Sequence, residues 1–296
     1  MSDRCCTFSA EAGEPLYATA QDATLHLFFD WRITSWGRTF LETPGIPSAV
    51  KQVIGELAVR NQKPSARFYL DDDAPEPGCV HVRSYPDGFG WKNIPVEVLA
   101  DVLRLALLEG TRTRPRRFER PAFFVCVHAA HDVCCGSSGP GVLAAAKTHV
   151  RERGFPIDVF ASSHLGGHRF AATGLFFPAG ISYGRMDEET IGPVLDACAA
   201  GKTYAPCLRG SVGVTEDALL AEHVLATSGI EEIRAFERYE ISSEQMPHGR
   251  LLRLRTQNGP AFEVRLKRKE FPSLHCPDAS PGKIVTREVI DDVVSL

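Results

Sequence analysis

The chain has 296 residues, of which 44% are hydrophobic, enough to bury a core divided between two or more units. Its net charge of −4 gives no electrostatic case for nucleic acid as a partner. No run of 18 apolar residues is present to span a membrane, and MSDRCCTFSAEAGE lacks the apolar stretch of a signal peptide, so the expectation is a cytoplasmic protein with no membrane partner.

In chain order, LHLFFDW reads as a strand, IPSAVKQVIGELAVR as an amphipathic helix opening near a proline, and ARFYL as another strand. An acidic loop, DDDAPEP at 71–77, follows. PVEVLADVLRLALLEG, residues 95–110, repeats apolar residues at three-and-four spacing and stops at Gly110, the pattern of a second helix. The basic, proline-containing segment TRTRPRRFER, 111–120, then reads as a linker. Residues 1–115 are accordingly expected to form a smaller α/β domain.

Beyond it, AFFVCVH is a short apolar strand, GPGVLAAAKTHVRERG a helix and IDVFASSH a second strand. That βαβ unit requires parallel strands joined by a right-handed crossover. RFAATGLFFPAGISYGRM gives two strands around a Pro-Ala-Gly turn, and EETIGPVLDACAAG a helix. The order βαβ then ββα is that of a thioredoxin-like domain, assigned to 116–229, ending in the capped helix TEDALLAEHVLATSG. From 230 to 296 the period-two segments IRAFERYEI, GRLLRLRT and AFEVRLKR predict a β-rich appendage, with a turn at QNG.

The nine cysteines, Cys5, Cys6, Cys79, Cys126, Cys134, Cys135, Cys198, Cys207 and Cys276, are an odd number in a chain too long to need stapling. Thiols or metal ligands fit better than a disulfide framework. Cys198 and Cys207 read as small buried hydrophobes; Cys5, Cys6, Cys79 and Cys276 carry no assigned chemistry.

Chemistry concentrates in CVHAAHDVCC, 126–135, and SHLGGHRF, 163–170. Each follows one of the two parallel strands, and ligands in open α/β sheets gather where loops leave the carboxyl ends of strands. Mixed thiolate and imidazole donors select zinc, iron or copper over calcium or magnesium. Cys126 stands farther in sequence from Cys134 and Cys135 than the first cysteines of a zinc site normally do from each other, and a 2Fe-2S cluster is wide enough to accept such a spacing. Gly166 and Gly167 between the histidines allow close backbone approach. His128 is expected to alternate away from Cys126 along the strand.

CVHAAHDVCCGSSGP resembles the cysteine motif of the sucrase/ferredoxin-like family, and SHLGGHRFAATGLFFPAGISYGRM resembles its HxGGH motif. CCTFSAEAGEPLYATA, SWG and LRGSVGV are similar to other segments of that family; the part after Glu231 matches weakly. The resemblance implies a thioredoxin-like ferredoxin with one 2Fe-2S cluster, in which Cys126 and Cys135 hold one iron and His164 and His168 the other. It leaves Cys134 as an alternative ligand and His128, His131 and Arg169 as neighbours; His131 stands where the family motif has arginine. The implied activity is one-electron transfer to an unidentified redox protein, at a potential above that of all-cysteine clusters because two imidazoles replace two thiolates.

Two other functions compete. A thiol–disulfide oxidoreductase is suggested by the fold order and the Cys134–Cys135 pair, but no C-x-x-C occurs. A structural zinc protein would use the same four ligands. Glycoside hydrolysis, raised by the family's name, needs two carboxylates flanking a bond, and Asp71, Asp72, Asp73, Asp187 and Glu188 form no such pair in sequence.

Overall fold

A computed structural model describes residues 4–60, 62–111, 113, 115–131, 133–274 and 282–296. Cys276 and Asp132 lie outside the described residues. The elements in order are α1 (Cys5–Glu11), β1 (Leu25–Asp30), α2 (Ser48–Val59), β2 (Pro64–Leu70), β3 (Cys79–Tyr85), β4 (Phe89–Pro95), α3 (Leu99–Leu103), β5 (Arg116–Arg117), β6 (Ala122–Cys126) and α4 (Val133–Arg153). They continue through β7 (Asp158–Ser162), β8 (Gly174–Phe177), β9 (Ile181–Tyr183), α5 (Ile191–Ala199), β10 (Leu208–Ser211), α6 (Glu216–Thr227), β11 (Glu240–Met246), β12 (Gly249–Arg255), β13 (Phe262–Phe271) and β14 (Val285–Ser295).

The architecture is mixed α/β. Ten strands form one sheet in the order β10-β9-β8-β6-β7-β2-β1-β3-β4-β5, and the last four form a separate antiparallel sheet, β11-β12-β13-β14. The expected βαβ unit is present: β6 and β7 are parallel, in register from Ala122 opposite Asp158 to Cys126 opposite Ser162. Strands β8 and β9 then add antiparallel on the far side of β6, and α5 follows, which is the thioredoxin-like order. All five residues of β6, AFFVC, are buried, as a strand covered on both faces requires.

The sheet does not stop at the basic segment. Tyr69 and Leu70 of β2 pair antiparallel with Ser162 and Ala161 of β7, so the two α/β halves share one sheet. Phe28, Tyr69, Phe124, Phe160 and Phe177 form a continuous aromatic cluster across this join, with Phe28 stacked on Phe124 at 3.8 Å. The expected helix over 95–110 is a 3-10 turn, the short α3 and a π-helical turn ending at Leu108. IRAFERYEI is not one strand: Ala235–Arg238 is a 3-10 turn, and β11 begins at Glu240. No helix among the described residues is long and apolar enough to cross a membrane.

Candidate metal centre

The site lies where β6 and β7 end. Cys126 is the last residue of β6, fully buried, and the chain then runs through a short loop into α4, whose first turn carries Cys134 and Cys135. Both cysteines belong to the helix and not to the loop that precedes it. Adjacent helical residues point about 100° apart, so the pair cannot serve one centre equally. Cys135 faces Cys126, whereas the sulfur of Cys134 lies 3.6 Å from that of Cys5 in α1. Cys6 is also drawn in: its hydrogen bond with Cys134, together with burial, pushes its thiol far up. The amino-terminal cysteines therefore pack against the back of the cysteine loop.

Two glycines let α4 approach this closely. A Cβ on Gly139 would collide with the Cys126 carbonyl oxygen, and one on Gly136 would meet Ala129. Each costs the helix about 1 kcal/mol relative to alanine, which close packing at the cysteine pair offsets.

The Cys135 thiol donates to Cys126 and holds the Cys126 thiol well below its ordinary range against the opposing effect of burial. His164 and the backbone N–H groups of His128 and Leu165 act in the same direction. Cys135, as the donor, is pushed up by that bond, by burial and by the Cys126 charge. The bond they share thus drives the two thiols in opposite directions.

His164 and His168 follow β7 on a loop closed by Gly166 and Gly167, whose φ values of +80° and +73° are left-handed. Side chains at either glycine would strike Gln21 or Arg209. The His131 ring stacks on His164 at 3.6 Å, and the His164 and His168 rings are 6.0 Å apart. Burial lowers the pKa of His131, with His164 adding to it; burial also lowers that of His168, with His131 and Arg169 adding. His128 is buried, accepts from the His164 backbone N–H at Nδ1 (3.3 Å) and meets the edge of Trp36. It positions the loop from behind.

Three buried charges support this loop and were not singled out from the sequence as site residues. Arg67 donates to the His164 carbonyl (3.2 Å) and to His26 Nδ1 (3.0 Å), and also binds Gln21. Arg209 donates to the Gly166 carbonyl (3.1 Å) and to Thr19. Neither forms an ion pair with a carboxylate among the described residues. Burial pulls Arg67 down to about 9 and Arg209, with help from Arg287, down to about 10; Cys126 opposes the shift at Arg67 and Cys135 that at Arg209. Glu14, fully buried, accepts from Ser9 (2.7 Å), Arg169 (2.7 Å) and Arg287 (3.0 Å), tying α1, the residue after His168 and β14 together. Only a spatial pattern reveals these roles, although Arg209 and Glu14 lie within segments, LRGSVGV and CCTFSAEAGEPLYATA, that carry the family resemblance.

The remaining candidates fall away. Cys198 and Cys207 are buried, with Cys198 near the Tyr183 hydroxyl (3.4 Å). Asp71, Asp72 and Asp73 pair with Arg83, Lys147 and Lys92, and Asp187 accepts from Thr190, so these carboxylates serve structure.

Fold and site together define a mixed α/β protein with a convergent cysteine and histidine centre at the end of a parallel strand pair. The sucrase/ferredoxin-like family matches residues 16–210, and the chain belongs to it. Over 82 residues it is 34% identical to Altered inheritance of mitochondria protein 32 of Debaryomyces hansenii, covering 26% of this chain and 30% of that protein, so the chain spans under a third of that relative's length. Two solved structures of a thioredoxin-like [2Fe-2S] ferredoxin from Aquifex aeolicus align with 31% of this chain, at 15% identity and a TM-score of 0.28, covering 91% and 97% of those chains.

Proposed function

We propose that this protein holds a 2Fe-2S cluster through Cys126, Cys135, His164 and His168 and carries single electrons to a protein partner. The observation that supports this most is the buried Cys126–Cys135 pair with His164 beside it, a soft donor set assembled from the end of β6, the first turn of α4 and the loop after β7. The residues fit the group: the buried Nδ1 of His164 has no hydrogen-bond partner, and the neighbours of Cys126 favour the deprotonated form a metal requires. When bound, such a cluster supplies a reversible one-electron couple, expected at roughly −150 to +300 mV for two-histidine ligation.

The protein's own residues do the rest. Gly136 and Gly139 bring Cys135 to Cys126, and His128 and Arg67 fix the backbone of His164. Arg67 and Arg209 place positive charge beside the thiolates and favour an extra electron. His131, His164 and His168 are only half buried, which leaves a short path to a docked partner, and exposed Val133 beside them offers an apolar contact. The Cys134–Cys135 pair does not support thiol–disulfide exchange, because the two sulfurs engage different neighbours.

The test is composition. Protein made with iron and purified without oxygen should contain two irons and two acid-labile sulfides per chain, and lose both in Cys126→Ser. Protein with neither iron nor sulfide contradicts the proposal.

A further inference from the structure

Three imidazoles converge where two would serve a cluster. A ring nitrogen of each of His131, His164 and His168 lies within 4.8 Å of the other two. His131 Nδ1–H donates to the Arg38 carbonyl at 2.6 Å, which leaves the lone pair on Nε2. A backbone carbonyl in that place is the partner that fixes the tautomer and orientation of a metal-bound histidine. His164 makes the second argument: its Nδ1 is buried and without a hydrogen-bond partner.

We propose that His131, His164 and His168 form a three-imidazole site for a single borderline divalent cation of the zinc class, with water completing the shell. Imidazole nitrogens suit zinc, and three histidines plus an open position are an established zinc ligand set. Bonds of about 2.0–2.1 Å in a tetrahedron place ligand nitrogens about 3.3 Å apart. In the structure the nitrogens lie within 4.8 Å and the His131 ring is stacked on His164, so metal binding requires side-chain rotation that unstacks His131. Because the site shares His164 and His168 with the proposed cluster, the two occupants exclude one another. The cation site does not depend on the cluster reading: it needs neither Cys126 nor Cys135.

The experiment is a Co2+ titration of the full-length, iron-free protein, read by visible and near-ultraviolet absorption. Wild type should give d–d bands without a thiolate-to-cobalt charge-transfer band. Cys126→Ser/Cys135→Ser should bind within about threefold of wild type, and so should Cys135→Ser alone, which guards against misfolding of the double variant. His131→Gln and His131→Arg should each weaken binding about tenfold or more, the scale on which lost metal-site partners act. Thiolate charge-transfer bands in wild type, loss of binding in the cysteine variants, or indifference to both His131 substitutions would overturn the proposal. Iron and sulfide analysis of the aerobically untouched protein reports on the cluster separately, so either reading can fail alone.

Discussion

Glu14→Gln should weaken the protein far more than its near-isosteric shape suggests. The carboxylate is wholly buried and receives Arg169 at 2.7 Å, Arg287 at 3.0 Å and the Ser9 hydroxyl at 2.7 Å. Removing one member of a buried ion pair strands the other and costs about 3–5 kcal/mol. Arg287 keeps 30% of its side chain exposed and can rehydrate, but Arg169 keeps 13% and cannot do so easily. The expected loss is therefore near the lower end, about 3 kcal/mol, with most of it due to stranded Arg169. Urea unfolding followed by circular dichroism measures it. Arg169→Met in the same chain should recover part of the loss, because the stranded charge is gone. A Glu14→Gln change below about 1 kcal/mol, or a double variant weaker than the sum of the singles, would refute the reasoning.

Other expectations follow from the same geometry. Arg67→Met, with the cluster intact, should lower the midpoint potential by about 60 mV, a tenfold shift toward the oxidised form, and Arg67→Lys should restore much of it; an unchanged midpoint in a redox titration would show that the buried charge is not felt. His26 is pushed down to about 3 by burial, with the Arg67 charge adding to it, so it stays neutral in the fold while the unfolded chain protonates near 6.5. Its contribution is complete above about pH 6.5 and is lost as pH falls toward 3, at most about 4–5 kcal/mol. His26→Gln should flatten the acid limb of the stability–pH curve between pH 6 and 4, and parallel curves would rule this out. Gly139→Ala, helix-favouring in isolation, should instead destabilise the protein and its metal loading, because its Cβ meets the Cys126 carbonyl; a stabilised variant retaining metal would contradict that packing.

The βαβ and ββα order was legible because β6 and β7 are short apolar runs bounded by turns, and local patterning carries that information. The joining of β2 to β7 was not legible: pairing between strands about ninety residues apart leaves no local trace. Strands β3, β4 and β14 also escaped the reading, β14 because its charged, half-exposed pattern follows no clean alternation. At the site, Cys126, Cys135, His164 and His168 could be named from two motifs, but the choice of Cys135 over Cys134 rested on resemblance alone. In the helix Cys134 turns toward Cys5 while Cys135 faces Cys126. His131 was visible as a neighbour, whereas its ring stacked on His164 is a fact of three dimensions. Glu14 lies in a segment of family resemblance, yet its role gave no signal, since a lone glutamate near the amino end reads as solvated until three partners surround it.

The central claim is that Cys126, Cys135, His164 and His168 hold one cluster. Electron paramagnetic resonance of the dithionite-reduced protein tests it most directly, with His164→Cys and His168→Cys compared against wild type. Wild type should show a single 2Fe-2S signal integrating to about one spin per cluster, with the low average g-value of mixed cysteine and histidine ligation. Each histidine variant should shift that signal toward all-cysteine character. No signal in wild type, or spectra unchanged by both substitutions, would contradict the account.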